Sequence, residues 1–293
     1  MEQTSSLTNT ITETINSIFQ TLFDSIDKNV YQILDNLTFI HVDILDDSVF
    51  ENFFGINLSH GLLLIANSLL IGFVIYYATR FLYSYYMNLQ IEAPYQFIFK
   101  ILILGIIMNN SYLICKHVIY INSLISDAIQ SVGSRVLGTQ ISFSELINQI
   151  NITTSSTDLQ FNIFSFDGLI KSFVSVCLFN LIFSYALRYI LLKVFILLTP
   201  FAILSYLNQS SSYFFKAWLR IIFSLLLQQS LVAIILFIIF SFNLGANTLF
   251  SKLMYIGGMY ALIRSNSYMR QLIGGISTDV SANFSTNILK NIS

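Results

Sequence analysis

Ile11, Ile15, Ile18, Leu22, Ile26, Val30, Ile33 and Leu37 follow one another at spacings of three and four, with polar residues between them. That is the period of an amphipathic helix. From Gly61 onward the rhythm changes, and whole turns pass without a charged side chain. Charge-free runs extend from Gly61 to Thr79, Ser172 to Leu187, Val194 to Phe215 and Ile221 to Ser251, and from Ala93 to Cys115 with Lys100 alone inside. A membrane-crossing helix needs about 18 to 20 such residues, so each run predicts a span, Ser172 to Leu187 being slightly short. Leu253 to Ile263 is a shorter run of 11 residues and a weaker candidate.

Between the runs that end at Cys115 and begin at Ser172, Val118, Ile121, Ile125, Ala128, Val132 and Val136 carry a further helical stripe. Ser142 and Glu145 have capping-box spacing ahead of Leu146, Ile147 and Ile150, and the polar loop NITTSSTDLQ follows. This stretch predicts a folded central loop lying on or beside the membrane. After the last span, Met269, Leu272, Ile276, Val280 and Phe284 repeat the amphipathic theme, interrupted by Gly274 and Gly275. The expected architecture is all-α: a polytopic helical membrane protein with five or six transmembrane helices plus amphipathic extramembrane helices. Its regions are an acidic amphipathic segment (1–59), two transmembrane helices (60–115), the central extramembrane loop (116–168), a C-terminal transmembrane bundle (169–263) and an amphipathic tail (264–293).

Composition agrees with this reading: of 293 residues, 55% are hydrophobic and 10% charged, against roughly 25% charged in a soluble domain. Mean hydropathy is +0.71. Nine of the 15 acidic residues fall in the first 59 positions, opposed there by Lys28 alone. Anionic headgroups repel such a helix, so its apolar stripe is expected to be covered by a partner protein or by the molecule's own membrane body. With no basic segment ahead of the first long apolar run, insertion is expected to use an internal helix rather than a cleavable signal.

Catalytic chemistry has no foothold. His41, His60 and His117 are scattered, no phosphate-binding loop occurs, and Cys115 and Cys177 sit in apolar surroundings without metal-ligand spacing. The chain is therefore expected to be no enzyme and to carry no catalytic residue, cofactor or metal. The spans hold no acidic residue, which tells against an ion-coupled transporter. From Gly168 to Thr278 the charges are all basic: Lys171, Arg188, Lys193, Lys216, Arg220, Lys252, Arg264 and Arg270. They read as side chains snorkelling to the interface, or as a surface that handles anionic material. Asn180, Ser184 and Arg188 stand at intervals of four, as do Arg220, Ser224 and Gln228. Such stripes belong on the interior of a bundle, where they hold helices or subunits together.

The segment RYILLKVFILLTPFAILSYL, Arg188 to Leu207, adds two cations and a proline to a membrane-grade run. Pro200 predicts a kink or stop near Thr199. Either a tight hairpin between Ser184 and Lys193 makes two short spans, giving six, or one long kinked helix protrudes, giving five. The order of RYILLKVFILLTPFAIL, the polar turn NQSSS, Phe215 to Arg220 and the pair Gln228 and Gln229 resembles the C-terminal half of the TrbL family, over roughly residues 170–265. The resemblance implies a non-enzymatic, multi-pass subunit of the bacterial inner membrane, part of the platform through which a conjugation or type IV secretion machine passes DNA or protein. Its implied partners are other secretion and conjugation subunits, further copies of itself as a homo-oligomer, membrane lipids, and the transferred DNA or protein in transient contact. A small-solute permease and a lipid-modifying membrane enzyme are the competing readings.

Overall fold

The computed structural model describes residues 28–56, 61–87, 93–154, 166–208, 211–242 and 248–274, with 13–15 and 17–18 as short helical pieces. Among these, all regular secondary structure is helical. In chain order the helices are α1 (Lys28–Thr38), a 3-10 turn (Val42–Ile44), α2 (Ser48–Phe54), α3 (Leu62–Met87), α4 (Pro94–Asn109) and α5 (Ser111–Leu137). They continue with α6 (Phe143–Thr154), α7 (Phe166–Leu197), α8 (Thr199–Ser205), α9 (Ser212–Ser241) and α10 (Leu249–Ile273). Three of them, α3, α7 and α9, are each long and apolar enough to cross a membrane. α4 and α5, bent by 61° at their junction, pass the same test as a pair. Three or four such helices mark a multi-pass membrane protein.

Local chemistry sets the breaks. Pro94 opens α4 in its first turn, where a missing N–H breaks no helical bond. α5 ends at Gly138 and α2 at Gly55, both in the left-handed conformation that glycine adopts without strain. The Thr248 side chain caps α10 by accepting from the Ser251 N–H, and α10 stops at Gly274, the first of the two glycines in the tail. α7 runs unbroken through Ser184 to Lys193, so the chain makes the long helix there and not the hairpin. The break falls at Leu198, and Pro200 sits in the first turn of the short α8.

α9 is the axis of the molecule. α5 lies along it in parallel: Asn122 bonds Gln229, and eleven residues further on Gly133 lies against Phe237. α10 returns antiparallel on another flank, with Ser265 opposite Gln228 and Gly258 packed on Ile239. α7 packs against α10 and α9. The α3–α4 hairpin attaches through one end, where Leu63, Ala66, Leu104 and Met108 close on Ile203, Leu204 and Leu207 at α8. Elsewhere it exposes apolar side chains, held together by Tyr77 stacked on Phe97 at 3.6 Å and by Asn67 and Asn109 exchanging amide hydrogen bonds.

α5 corrects the expected central loop. Positions 116–137 belong to one helix with 111–115, so the boundary drawn after Cys115 falls inside α5, and Asp127 lies on a helix of the bent candidate span, contrary to the expectation that the spans hold no acidic residue. Its apolar stripe points outward, with Ile121 57%, Val132 58% and Val136 69% exposed, while Ser111, Cys115, Asn122, Ser126 and Gly133 are buried. Inverted faces of this kind suit a helix whose solvent is lipid and whose protein contacts are small and polar. The boundary before Arg264 likewise falls inside α10. Half of the expected capping box forms at α6, where the Ser142 Oγ accepts from the Glu145 N–H; the Glu145 carboxylate turns instead to Gln149.

From α1 onward the acidic region is covered in part by the protein's own body, while Ile18 of its stripe is exposed. α1 lies against α6 and α7, burying Leu34 and Thr38, and Ile33 points outward although its spacing places it in the apolar stripe. Residues 39–56 then run as a strap over the bundle. Asp46 pairs with Lys116, Asp47 approaches Lys193 at 3.8 Å, and the Tyr112 hydroxyl lies 3.0 Å from the Leu45 carbonyl and 3.2 Å from the Glu51 carboxylate. The ion pairs are exposed and contribute little each; Ile40, Ile44, Leu45 and Phe50, buried against Cys115, Ile119, Leu192 and Trp218, carry the attachment. Most of the stripe before Lys28, together with His60, the loop after Thr154 and the tail from Gly275, lies outside the described residues.

Gly258 gives the packing of α9 a direct test. A side-chain carbon at this position would overlap Ile239. Gly258→Val should cost about 1–3 kcal/mol through overpacking and lower the thermal midpoint of the purified protein in detergent. Gly72→Ala, where a methyl meets open space, should leave the midpoint unchanged or raise it.

Candidate functional site

The polar groups of the bundle gather where α1, α5, α7, α9 and α10 meet. Arg188, on α7, is fully buried at 0% exposure. Its Nε donates to the Leu225 carbonyl of α9 at 2.8 Å and its Nη1 to the Thr38 carbonyl at 3.0 Å. Thr38 is the last residue of α1, so the guanidinium meets the negative end of a helix dipole. No carboxylate among the described residues lies within ion-pair distance of it, and Nη2 has no partner there. Among the described residues, then, a buried cation is held by two backbone carbonyls, an arrangement that survives only while both acceptors stay in place.

Gln229 completes the clamp. Its Oε1 accepts from the Ile40 N–H at 3.1 Å and lies 3.4 Å from the Asn122 Nδ2. Gln228, one residue earlier and about 100° around the helix, reaches the Ser265 hydroxyl of α10 at 3.5 Å. The adjacent pair thus ties α9 to two different neighbours. Tyr185, one turn before Arg188, is buried with its hydroxyl unpartnered among the described residues, as are the Ser126 hydroxyl and the Gln130 Nε2 on α5.

The two expected stripes separate. Asn180 is half-buried and its Oδ1 accepts from the buried Ser184, a bond within α7. Ser224 is buried on α9 close to the Arg188 contact. Arg220 is exposed, and its side chain lies beside Gly274 at the end of α10, where a cation meets terminal carbonyls. Pro200 is buried in α8, whose neighbour Thr199 approaches the Cys115 sulfur at 3.4 Å. Arg188, Ser224 and Gln228 therefore share the interior, Asn180 and Ser184 extend it along α7, and Arg220 stands apart. Thr38, Asn122, Tyr185 and Gln229 join the site without belonging to either stripe. Asn122, Ser126 and Gln130 repeat at intervals of four, and that pattern becomes visible once the apolar stripe of α5 is assigned to the outside.

A second polar joint fixes α6. The Asp35 carboxylate accepts from the Phe143 N–H at 2.7 Å, from the Ser144 N–H at 3.2 Å and from the Ser144 hydroxyl at 2.7 Å. It caps a helix start from another helix, satisfying first-turn donors that α6 cannot satisfy itself. Burial pushes this carboxyl above the usual range, and the three hydrogen bonds pull it part of the way back.

No group of three His, Cys, Asp or Glu side chains able to hold a metal occurs among the described residues, and Cys115 and Cys177 are buried and free. The geometry performs fastening: one cation and one amide pin the chain's N-terminal segment to the middle of α9. No family model, curated protein or solved structure matches the chain. The class defined by the fold is that of helical, multi-pass membrane proteins.

Arg188→Met should insert at normal yield, because a charge is removed from the membrane, yet loosen the strap. Hydrogen exchange across Thr38 to Ile40 should rise about tenfold, equivalent to ~1.4 kcal/mol. Gln229→Leu should act alike, leaving the Ile40 N–H without its acceptor. Unchanged exchange in both would mean that apolar contacts alone hold the strap. Asp35→Ala should cost about 1 kcal/mol and speed exchange at Phe143 and Ser144 while sparing α9.

Proposed function

We propose that the protein is a non-enzymatic, multi-pass subunit of a bacterial conjugative transfer or type IV secretion apparatus, part of the inner-membrane platform that passes DNA or protein. The observation that carries the reading is that the residues on which the TrbL resemblance rests are packing partners. Arg188 bonds the α9 backbone at Leu225, and the Trp218 indole N–H donates to the Phe195 carbonyl at 2.9 Å. Pro200 opens the short helix on which the α3–α4 hairpin sits, and Gln228 and Gln229 reach α10 and α5. A motif of degenerate membrane residues gains weight when its members interlock in one unit.

In this reading five or six helices cross the membrane: α3, α7 and α9 by their own length, α4 and α5 as one broken span or two, and α10 because it follows α9 along its length. The strap, pinned at mid-height, presents the acidic N-terminal region to other subunits of the machine. A platform subunit of this kind moves no small solute by itself.

The test is mating and effector export in the native host. Deleting the gene should abolish transfer, and Arg188→Leu should lower it at least about tenfold with membrane levels preserved. Wild-type transfer from the deletion strain removes the proposal. Loss of uptake of a defined solute, with transfer intact, would replace it with a permease.

A further inference from the structure

We infer that copies of this chain assemble head to tail around an axis normal to the membrane, with Asp127 on α5 of one copy meeting Arg264 on α10 of the next. The inference rests on α9 crossing the membrane and not on the secretion reading.

Depth carries the argument. α9 is the most apolar of the spans, and its charge-free part begins after Arg220 and continues to Ser241. At 1.5 Å per residue this is about 30 Å, the thickness of the hydrocarbon core. Asp127 stands between Asn122, which bonds Gln229, and Gly133, which lies against Phe237. It is therefore near the middle of that layer. Arg264 adjoins Ser265, which meets Gln228 from the other side. The two charges share one depth to within about a helical turn, ~6 Å, which the arginine side chain spans.

Both residues are exposed and lie on different flanks of α9, since Gln229 faces α5 and Gln228 faces α10. Asp127 makes no hydrogen bond or ion pair among the described residues. The Arg264 guanidinium lies over the Tyr260 ring at 5.5 Å, with its Nε donating to the Tyr260 hydroxyl at 3.1 Å. A carboxylate facing lipid at mid-depth is costly, and a cation brought beside it removes most of that cost. The surfaces around the charges suit helix contact. Leu124 and Tyr120, about one and two turns before Asp127 on the same face, are exposed, and Gly257, two turns before Arg264 on α10, faces open space, which lets a neighbouring helix come close.

Symmetry decides between modes of association. Rotation about the membrane normal leaves depth unchanged, so complementary groups at one depth on different faces generate a head-to-tail ring. A two-fold dimer through α5 would instead set Asp127 against Asp127.

Cross-linking in native membranes tests this with the full chain. In a background carrying Cys115→Ala and Cys177→Ala, differently tagged Asp127→Cys and Arg264→Cys chains are expressed singly and together and treated with a short bis-maleimide. The co-expressed pair should give a mixed dimer and neither variant alone should cross-link. A chain carrying both cysteines should give a ladder. Like-with-like cross-links, or none in the co-expressed sample, overturn the inference. In the otherwise native chain, Asp127→Arg and Arg264→Asp should each shift the detergent-extracted protein from oligomer to monomer on native gels, and together restore the oligomer. An oligomer indifferent to either single exchange would equally overturn it.

Discussion

A guanidinium sealed among helices must find acceptors, and Arg188 finds them in two carbonyls that belong to distant parts of the chain. The Leu225 carbonyl is given by α9. The Thr38 carbonyl becomes available only because α1 ends there, with its last turn short of intrahelical donors. The position of the strap thus follows from the charge: were α1 to move by one turn, the cation would lose half of its coordination in a medium that offers no water in exchange. Gln229 reinforces the same register by receiving the Ile40 N–H. From that point the strap descends over Trp218 and Leu192 toward Lys193 and Lys116, and its ion pairs with Asp47 and Asp46 are the weaker, outer end of the attachment.

Hydropathy makes α3, α7 and α9 legible, because few structures besides a membrane span can shelter so long an uncharged run. Pro200 and Gly274 mark real breaks for equally local reasons, steric in one case and conformational in the other. α5 hides in the sequence because the rule that apolar residues face protein reverses in lipid, where Asn122, Ser126 and Gly133 turn inward and Ile121 and Val132 face outward. Lys252, Arg264 and Arg270 interrupt α10 often enough to conceal a 25-residue helix.

The site is half legible. Arg188 and Gln228 stand out as polar residues in apolar runs, and their inward placement follows from the cost of exposing them to lipid. Their partners do not stand out: Thr38 lies 150 residues from Arg188 and Ile40 lies 189 residues from Gln229, and both contribute only backbone atoms, which every residue has. Arg220 has the same place in its stripe as Asn180 has in the other, yet it sits near the start of α9 beside Gly274, where it is exposed. Spacing locates a face of a helix; height along the helix decides whether a charge on that face is sealed or open.

The long reach of the Arg188 bond has a consequence for biogenesis. During synthesis Thr38 leaves the ribosome well before α7 and α9 exist, so an earlier-made segment is fully seated only after later ones. Until Arg188 and Gln229 are in the membrane, residues 28–56 have only the part of their docking ground that α5 supplies through Tyr112, Cys115 and Ile119, and Thr38 and Ile40 are without their partners. Closure of the strap is thus a late event that can occur only on a bundle already in register, and it distinguishes a completed protomer from one still being built.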